Sequence, residues 1–418
     1  MNRPVPPAPS DAATRLARRA EALDAADPLR GVRDRFVLDE AVYLDGNSLG
    51  ALPRSVPDRV AEVVAEEWGR LRIRSWTESG WDSAPERIGD RLAPLLGAAP
   101  GQVVVGDSTS VNLFKLLVGA VRLAGDGRDE ILLDADTFPT DRYVAESAAR
   151  MTGRRLRALP PAGIAAEAGA RTAVALVNHV DYRSGELRDL PALTAALHEA
   201  GALALWDLCH SAGALPVELD RHAVDLAVGC GYKYLNGGPG APAFAYVRAA
   251  HLPRFDSPLP GWWGHRDPFA MSADYAPHAG ARRLRVGTPD ILSMLALEAA
   301  LDAFDGVELA AVRAKSLALT DFFLECVGEL VPEGAAEPLT PAEHARRGSQ
   351  VSLRCPDAAG LLGRLVARGV VADHRPPDVL RFGFAPLYTG FAEAARAAAT
   401  LGELLGASRR GPAGNGGR

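Results

Sequence analysis

The chain has 418 residues, enough for two structural units, and 48% of them are apolar, which supplies a substantial core. A formal charge of −6 leaves no basic surface of the kind that neutralises nucleic-acid phosphates. Four scattered cysteines, Cys209, Cys230, Cys326 and Cys355, form no CxxC pair, so they predict neither a zinc site nor a disulfide framework but free thiols in a reducing cytosol.

The opening MNRPVPPAPSD lacks the apolar stretch of a signal peptide, and no segment reaches the length of a membrane span, so a soluble cytoplasmic protein without a membrane partner is expected. Residues 1–13 are Pro-rich and residues 408–418 rich in Gly and Arg; both ends are expected to be disordered. Helical periodicity runs from Thr14 to Asp27 and stops before Pro28. RFVLDEAVYLDGNSLG reads as a short strand running into turn residues, and Pro57 to Trp68 as an amphipathic helix. From Gln102 onwards QVVVGD, EILLDAD, TAVALVNHV, ALALWDL, DLAVGCG and PAFAYVR read as buried strands, with helices such as VNLFKLLVGAVRLA and LPALTAALHEAG between them. That alternation predicts an α/β fold with a mostly parallel sheet and a ligand beyond its carboxyl ends. Residues 289–331 read as long Ala/Leu-rich helices, followed by strands QVSLRC and VLRFGF around a further helix, a second and smaller α/β unit. The expected divisions are an N-terminal segment 14–56 packed on the small domain, a large domain 57–300 and a small domain 301–407.

Only Lys115, Lys233 and Lys315 are lysines. Lys233 follows an apolar strand in LAVGCGYKYLNGGPGAP, a glycine-rich turn. It is either an ordinary loop lysine or a desolvated one with the lowered pKa that Schiff-base chemistry requires. Asp207 closes the strand of GALALWDLCHSAG, where a lone acid after apolar residues calls for a cation or caps the next turn. His210, three residues on, either orients that acid, covers a bound ring or is structural. In GDSTSVNLFKLL, Ser108, Thr109 and Ser110 stand at a strand-to-helix junction, a natural anion site or an ordinary N-cap. EILLDADTFPTDRY places Phe138 and Asp141 just past another strand, Phe138 for stacking on a ring or for the core. In GWWGH, Trp262 to His265, two adjacent tryptophans are not both expected to be buried, so one faces a cleft or a subunit boundary. Arg381, in VLRFGFAPLY, suits either a bidentate clamp on a substrate carboxylate or an inter-strand salt bridge. A lysine, a carboxylate for a pyridinium nitrogen, phosphate donors and a flat group are together what a pyridoxal 5′-phosphate (PLP) enzyme needs.

Asp207…His210…Tyr232–Lys233 resembles the fold-type-I PLP enzymes of the class V aminotransferase branch. Along almost its whole length the chain resembles the kynureninase family, through YLDGNSLG, DSTSVNLFK, TFPTD, HVDYRSGE, WDLCHSAG, GCGYKYLNGGPG, GWWGH, RVGTPDIL and RFGFAPLY. The resemblance implies a seven-stranded large domain, a homodimer with shared sites, and hydrolytic Cβ–Cγ cleavage of a kynurenine, 3-hydroxykynurenine or ring-substituted analogue in tryptophan catabolism. By the same resemblance, Lys233 carries PLP and moves the Cα proton, and Tyr232 transfers a proton at the carbonyl or Cβ. Asp207 pairs with the pyridinium, with His210 nearby, and Phe138 stacks on the ring. Thr109, Ser110, Asp141, Tyr232 and Trp262 contact the phosphate or its surroundings. Thr288 lines the site from the partner subunit, Arg381 holds the substrate carboxylate with Asn47 or Ser48 close by, and Trp76 is a weaker transfer. No metal is implied. The competing readings are another class V chemistry (aminotransferase, epimerase or cysteine desulfurase, the last requiring a mobile cysteine) and a PLP-binding protein without turnover. A Rossmann nucleotide site lacks its G-x-G-x-x-G after an early strand.

Overall fold

A computed structural model describes residues 11–409. They divide into two compact units, one of residues up to 48, 183–185 and 310 onwards, the other of 49–182 and 186–309.

The larger unit is built on seven strands: β1 (Val103–Val105), β2 (Glu130–Asp134), β3 (Arg155–Leu159), β4 (Thr172–Asn178), β5 (Leu203–Asp207), β6 (Leu226–Cys230) and β7 (Ala243–Val247). Their order across the sheet is β1-β7-β6-β5-β4-β2-β3. The run from β6 to β3 is parallel, and β7 is antiparallel to both its neighbours. Strands β2 and β4 to β7 are buried almost throughout, which is why they stand out as continuous apolar runs. The edge strand β3, Arg-Leu-Arg-Ala-Leu, is half-exposed and carries no such run, and sequence reading missed it. Helices α1 (Thr109–Ala124), α2 (Pro139–Thr152) and α3 (Leu190–Glu199) follow β1, β2 and β4. Leu113, Leu116, Leu117 and Val121 of α1 pack with Ile131, Leu133, Val174 and Leu176 of the sheet in one core cluster. Removing such apolar side chains from water stabilises the unit by ~25 cal/mol per Å².

The helix expected over Pro57–Trp68 starts at Ser55 and continues from Val63 to Leu71 in π geometry, which a 3.6-residue pattern does not foretell. Ser55 bonds the Ala299 carbonyl at 2.8 Å, and Val56 packs on Ala299 and Ala300. These contacts tie both segments to the large unit, so the units change over at 48/49 and 309/310 rather than at 56/57 and 300/301.

The smaller unit holds an antiparallel sheet of β8 (Glu337–Pro338), β9 (Gln350–Arg354), β10 (Asp373–Arg375) and β11 (Val379–Gly383), in the order β8-β9-β11-β10. The long helices α4 (Leu309–Leu330) and α5 (Phe391–Arg409) contribute Phe323, Ala394, Ala398 and Leu401 to its core. The helix Asp11–Ala26 adds Leu16 and Ala20 to the same cluster. It begins inside the stretch 1–13 expected to be disordered, and α5 runs into the expected tail; residues 1–10 and 410–418 lie outside the described residues. Among the described residues no helix is long and apolar enough to cross a membrane.

Candidate active site

At the carboxyl ends of the parallel strands the large unit gathers buried polar groups. Asp207 ends β5 at 6% exposure, and Asn178 ends β4 directly opposite it in the ladder. One Asp207 oxygen accepts from the Cys209 N–H at 2.7 Å and the other from the Asn178 amide at 3.1 Å. Asn178 also donates to Asp141 at 2.8 Å, and Thr137 donates to the same Asp141 oxygen at 3.1 Å. Burial first, and then the charge of Asp207 bonded to it, push the Asp141 carboxyl well above the usual carboxylate range. Asp141 therefore holds its proton more tightly than an exposed carboxyl does. Sequence reading set Asp141 with the phosphate donors; the structure sets it against Asp207.

Of the three lysines, Lys115 is paired with Asp107 at 2.6 Å and bonded to the Leu284 carbonyl at 2.7 Å, while Lys315 is paired with Asp27 at 2.7 Å. Lys233 instead has its Nζ 3.2 Å from His210 Nε2. Its loop is fixed from below: the Gly50 N–H bonds the Tyr232 carbonyl at 2.8 Å. A Cβ on Gly50 would lie 2.3 Å from both the Lys233 carbonyl and Asn236 Oδ1, so the YLDGNSLG turn needs a glycine there for the backbones to meet. The phenol of the half-buried Tyr232 is pushed above its ordinary value by burial first and then by Cys230.

Ser108 caps α1 by accepting from the Val111 N–H at 3.3 Å. Thr109 and Ser110, both half-buried, remain in the first turn at the positive end of the helix. The Thr109 hydroxyl is 3.9 Å from Cys209 Sγ, so this turn borders the Asp207 segment. Lysine, lone buried carboxylate and hydroxyl-bearing helix start thus lie in one unit, and their chemistry fits PLP: Schiff-base amine, counter-charge for a ring N–H, and phosphate donors. Phe138 caps α2 at 40% exposure, with its ring edge-on to Tyr182 at 5.2 Å.

The tryptophans divide as anticipated: Trp263 is 2% exposed and bonds Asp82, whereas Trp262 is 37% exposed. Trp76 meets both edge-on, at 6.3 Å from Trp262 and 5.9 Å from Trp263. Thr288 lines a cavity of about 330 Å³ with Ser108, Asp107 and Arg285 of the same chain. Lys233 and Asp207 are not among the residues lining that cavity.

In the small unit Arg381 is completely buried on β11. Its Nε donates to Asp373 Oδ2 at 3.0 Å across the β10–β11 register, its Nη2 reaches the same oxygen, and Nη2 lies 3.2 Å from the Ser48 hydroxyl. The inter-strand salt bridge foreseen as the alternative is therefore present. Asn47 donates to Gln350 at 3.1 Å in the same unit. Nearby Asp45 is pushed up to about 6 by burial, with Ser48, Asp373 and Arg381 acting on it more weakly.

Sequence reasoning missed Asn178, although a polar residue after six buried ones in TAVALVN is the signal that picked out Asp207. It also missed Asp373 and the approach of Cys230 Sγ, at the end of β6, to the Cys209 carbonyl in the turn after β5.

The kynureninase C-terminal domain model matches residues 312–401. A kynureninase of Deinococcus radiodurans is 51% identical over 392 residues, covering 92% of this chain and 95% of its own. Among solved structures, a cysteine desulfurase from Thermococcus onnurineus NA1 superposes with a TM-score of 0.77 at 19% identity over 90% of this chain and 98% of its own. A C–S lyase variant with glycine covalently linked to its PLP cofactor matches with a TM-score of 0.77 at 19% identity, over 88% and 98%. At such identity the two structures speak for the fold, the fold-type-I architecture of PLP enzymes.

Proposed function

The chain belongs to the kynureninase family, and on that footing we propose that Lys233, Tyr232 and Asp207 form the site at which it hydrolyses the Cβ–Cγ bond of an L-kynurenine to an anthranilate and L-alanine. It is a PLP-dependent hydrolase of a carbon–carbon bond; the observation that carries the activity is the 51% identity over nearly the whole of both chains. PLP, when bound through Lys233, supplies the electron sink that makes the substrate Cα proton acidic.

This chain's residues do the rest. Asp207, whose two oxygens already accept from neutral donors, offers its charge to the ring N–H, and Asp141 behind it is held well above the usual carboxylate range, by burial first. Lys233, freed when substrate binds, takes the Cα proton and later returns one; His210 at 3.2 Å orients its amine. Thr109, Ser110, Tyr232 and Trp262 are the proposed phosphate contacts, and Phe138 the ring-stacking group. Tyr232, whose raised pKa keeps it protonated at neutral pH, is the acid at the γ-carbonyl oxygen or at Cβ. Water adds to the γ-carbon, the C–C bond breaks, the aryl carboxylate leaves, and Cβ accepts a proton to become the methyl of alanine. Arg381, with Asn47 and Ser48 beside it, is proposed to hold the substrate carboxylate, and Thr288 and the Trp76–Trp262 pair to border the site. A ring hydroxyl or methyl changes binding by only ~1–3 kcal/mol, so the preferred kynurenine is a matter of few side chains.

A desulfurase needs a mobile thiol. Cys355 is fully buried, bonds the Leu353 carbonyl, and is pushed up to about 11 by burial, which speaks against that chemistry. A cytoplasmic homodimer with sites shared between subunits completes the proposal. Incubation with L-kynurenine and then 3-hydroxykynurenine, with anthranilate fluorescence and alanine assayed together, tests the reading. Equal amounts of the two products support it, and a keto acid without anthranilate would replace it with transamination.

A further inference from the structure

We propose that Cys209 and Cys230 form a redox-active dithiol beside Lys233, which a peroxide closes reversibly to a disulfide. The two residues stand just past one another at the ends of neighbouring parallel strands. Asp207 pairs with Val228 in the β5–β6 ladder and the Leu208 N–H continues it to the Val228 carbonyl at 2.8 Å; Cys209 lies in the turn that follows β5, and Cys230 is the last residue of β6. Cys230 Sγ approaches the Cys209 carbonyl oxygen at 3.9 Å, which sets the two cysteines in contact. Cys230 is buried, while Cys209 is only half-buried and gives the pair its access.

The electrostatics suit reaction. Burial works against ionisation of Cys230, but the neighbouring Cys209 and the charge of Lys233 outweigh it and bring the thiol down to about 7. Cys209 is pushed up by Cys230 and then by burial. Of the two, Cys230 is therefore the readier to ionise and so the nucleophile of the pair. Cys326 and Cys355, in the other unit, are pushed up by burial to about 12 and about 11 and are comparatively inert.

With hydrogen peroxide as oxidant, the Cys230 thiolate attacks one oxygen and the O–O bond breaks. The departing hydroxide takes the Cys209 thiol proton and leaves as water, with a sulfenic acid on Cys230 and a thiolate on Cys209. The Cys209 thiolate then attacks the Cys230 sulfur, forming S–S and expelling hydroxide, which leaves as water with a solvent proton. Two thiols are oxidised and one peroxide is reduced to two waters. The bridge removes the Cys230 thiol two residues before Tyr232 and tethers the segment between Asp207 and His210, so turnover should fall with its formation.

The test is peroxide titration of the PLP-loaded holoenzyme, alkylation under denaturing, non-reducing conditions, and peptide mapping by mass spectrometry. The expected result is a linked pair of peptides containing Cys209 and Cys230, with Cys326 and Cys355 alkylated. Turnover should fall at least tenfold in step with the link and return with dithiothreitol. Cys209→Ser, checked for folding by circular dichroism, should form no link and should instead leave a dimedone-reactive sulfenic acid on Cys230. Cys209 and Cys230 both remaining alkylatable after peroxide exposure would overturn the proposal, as would a bridge to Cys326 or Cys355. Loss of turnover without the link would overturn its functional part.

Discussion

The residue that organises the site is Asp207, and its behaviour depends on a neighbour the chain order hides. Asp141 sits in the helix after β2, yet its carboxyl meets Asp207 and is held well above the usual carboxylate range by burial and then by that second carboxyl. Asp207→Asn removes the charge offered to the ring N–H. A buried charge-assisted hydrogen bond contributes ~1.5–3 kcal/mol, so PLP affinity, read by titration of the visible band, should fall by about ten- to a hundredfold. Tyr232→Phe should still bind PLP but turn over ~10²–10⁴-fold more slowly, measured as single-turnover anthranilate release. Asp45 makes a prediction about pH. Its carboxyl is raised from 3.8 to about 6, so the folded state binds that proton more tightly than the unfolded one. This contribution favours folding as pH falls below 6 and is lost as pH rises through it. Asp45→Asn should flatten the urea-unfolding midpoint between pH 4 and 6, and an unchanged slope would show that Asp45 is not the group responsible.

Elements place these residues, and the sequence discloses them unevenly. Strands buried on both faces are continuous apolar runs, so β2 and β4 to β7 are readable, and the acid closing the β5 run marks the ligand side. Strand direction carries no such mark: antiparallel β7 reads like its parallel neighbours. The edge strand β3, with Arg155 and Arg157 paired to Glu130, resembles a loop for want of apolar residues. Lys233 stands apart in the sequence by its apolar, glycine-rich setting, and the structure adds that Asp107 and Asp27 occupy the other two lysines. The YLDGNSLG turn is the element most exposed to single changes. Gly50→Ala would drive a Cβ into the Lys233 carbonyl and Asn236, and overpacking of that kind typically costs ~1–3 kcal/mol. A lowered melting temperature together with a lowered kcat should follow, since the displaced loop carries the lysine.

For the whole molecule, the family assignment accounts for both units: the large one carries the lysine, the small one the buried arginine. Assembly is the claim furthest from the residues. Sedimentation equilibrium should give twice the chain's mass, and a fully active monomer would contradict shared sites. The central claim is that one lysine turns this fold into a hydrolase of kynurenines. Its most direct test is anthranilate release from L-kynurenine by the purified, PLP-loaded protein beside Lys233→Ala. The account predicts equimolar anthranilate and alanine from the first, and neither turnover nor the lysine-linked absorption band from the second. Turnover surviving in Lys233→Ala would contradict it.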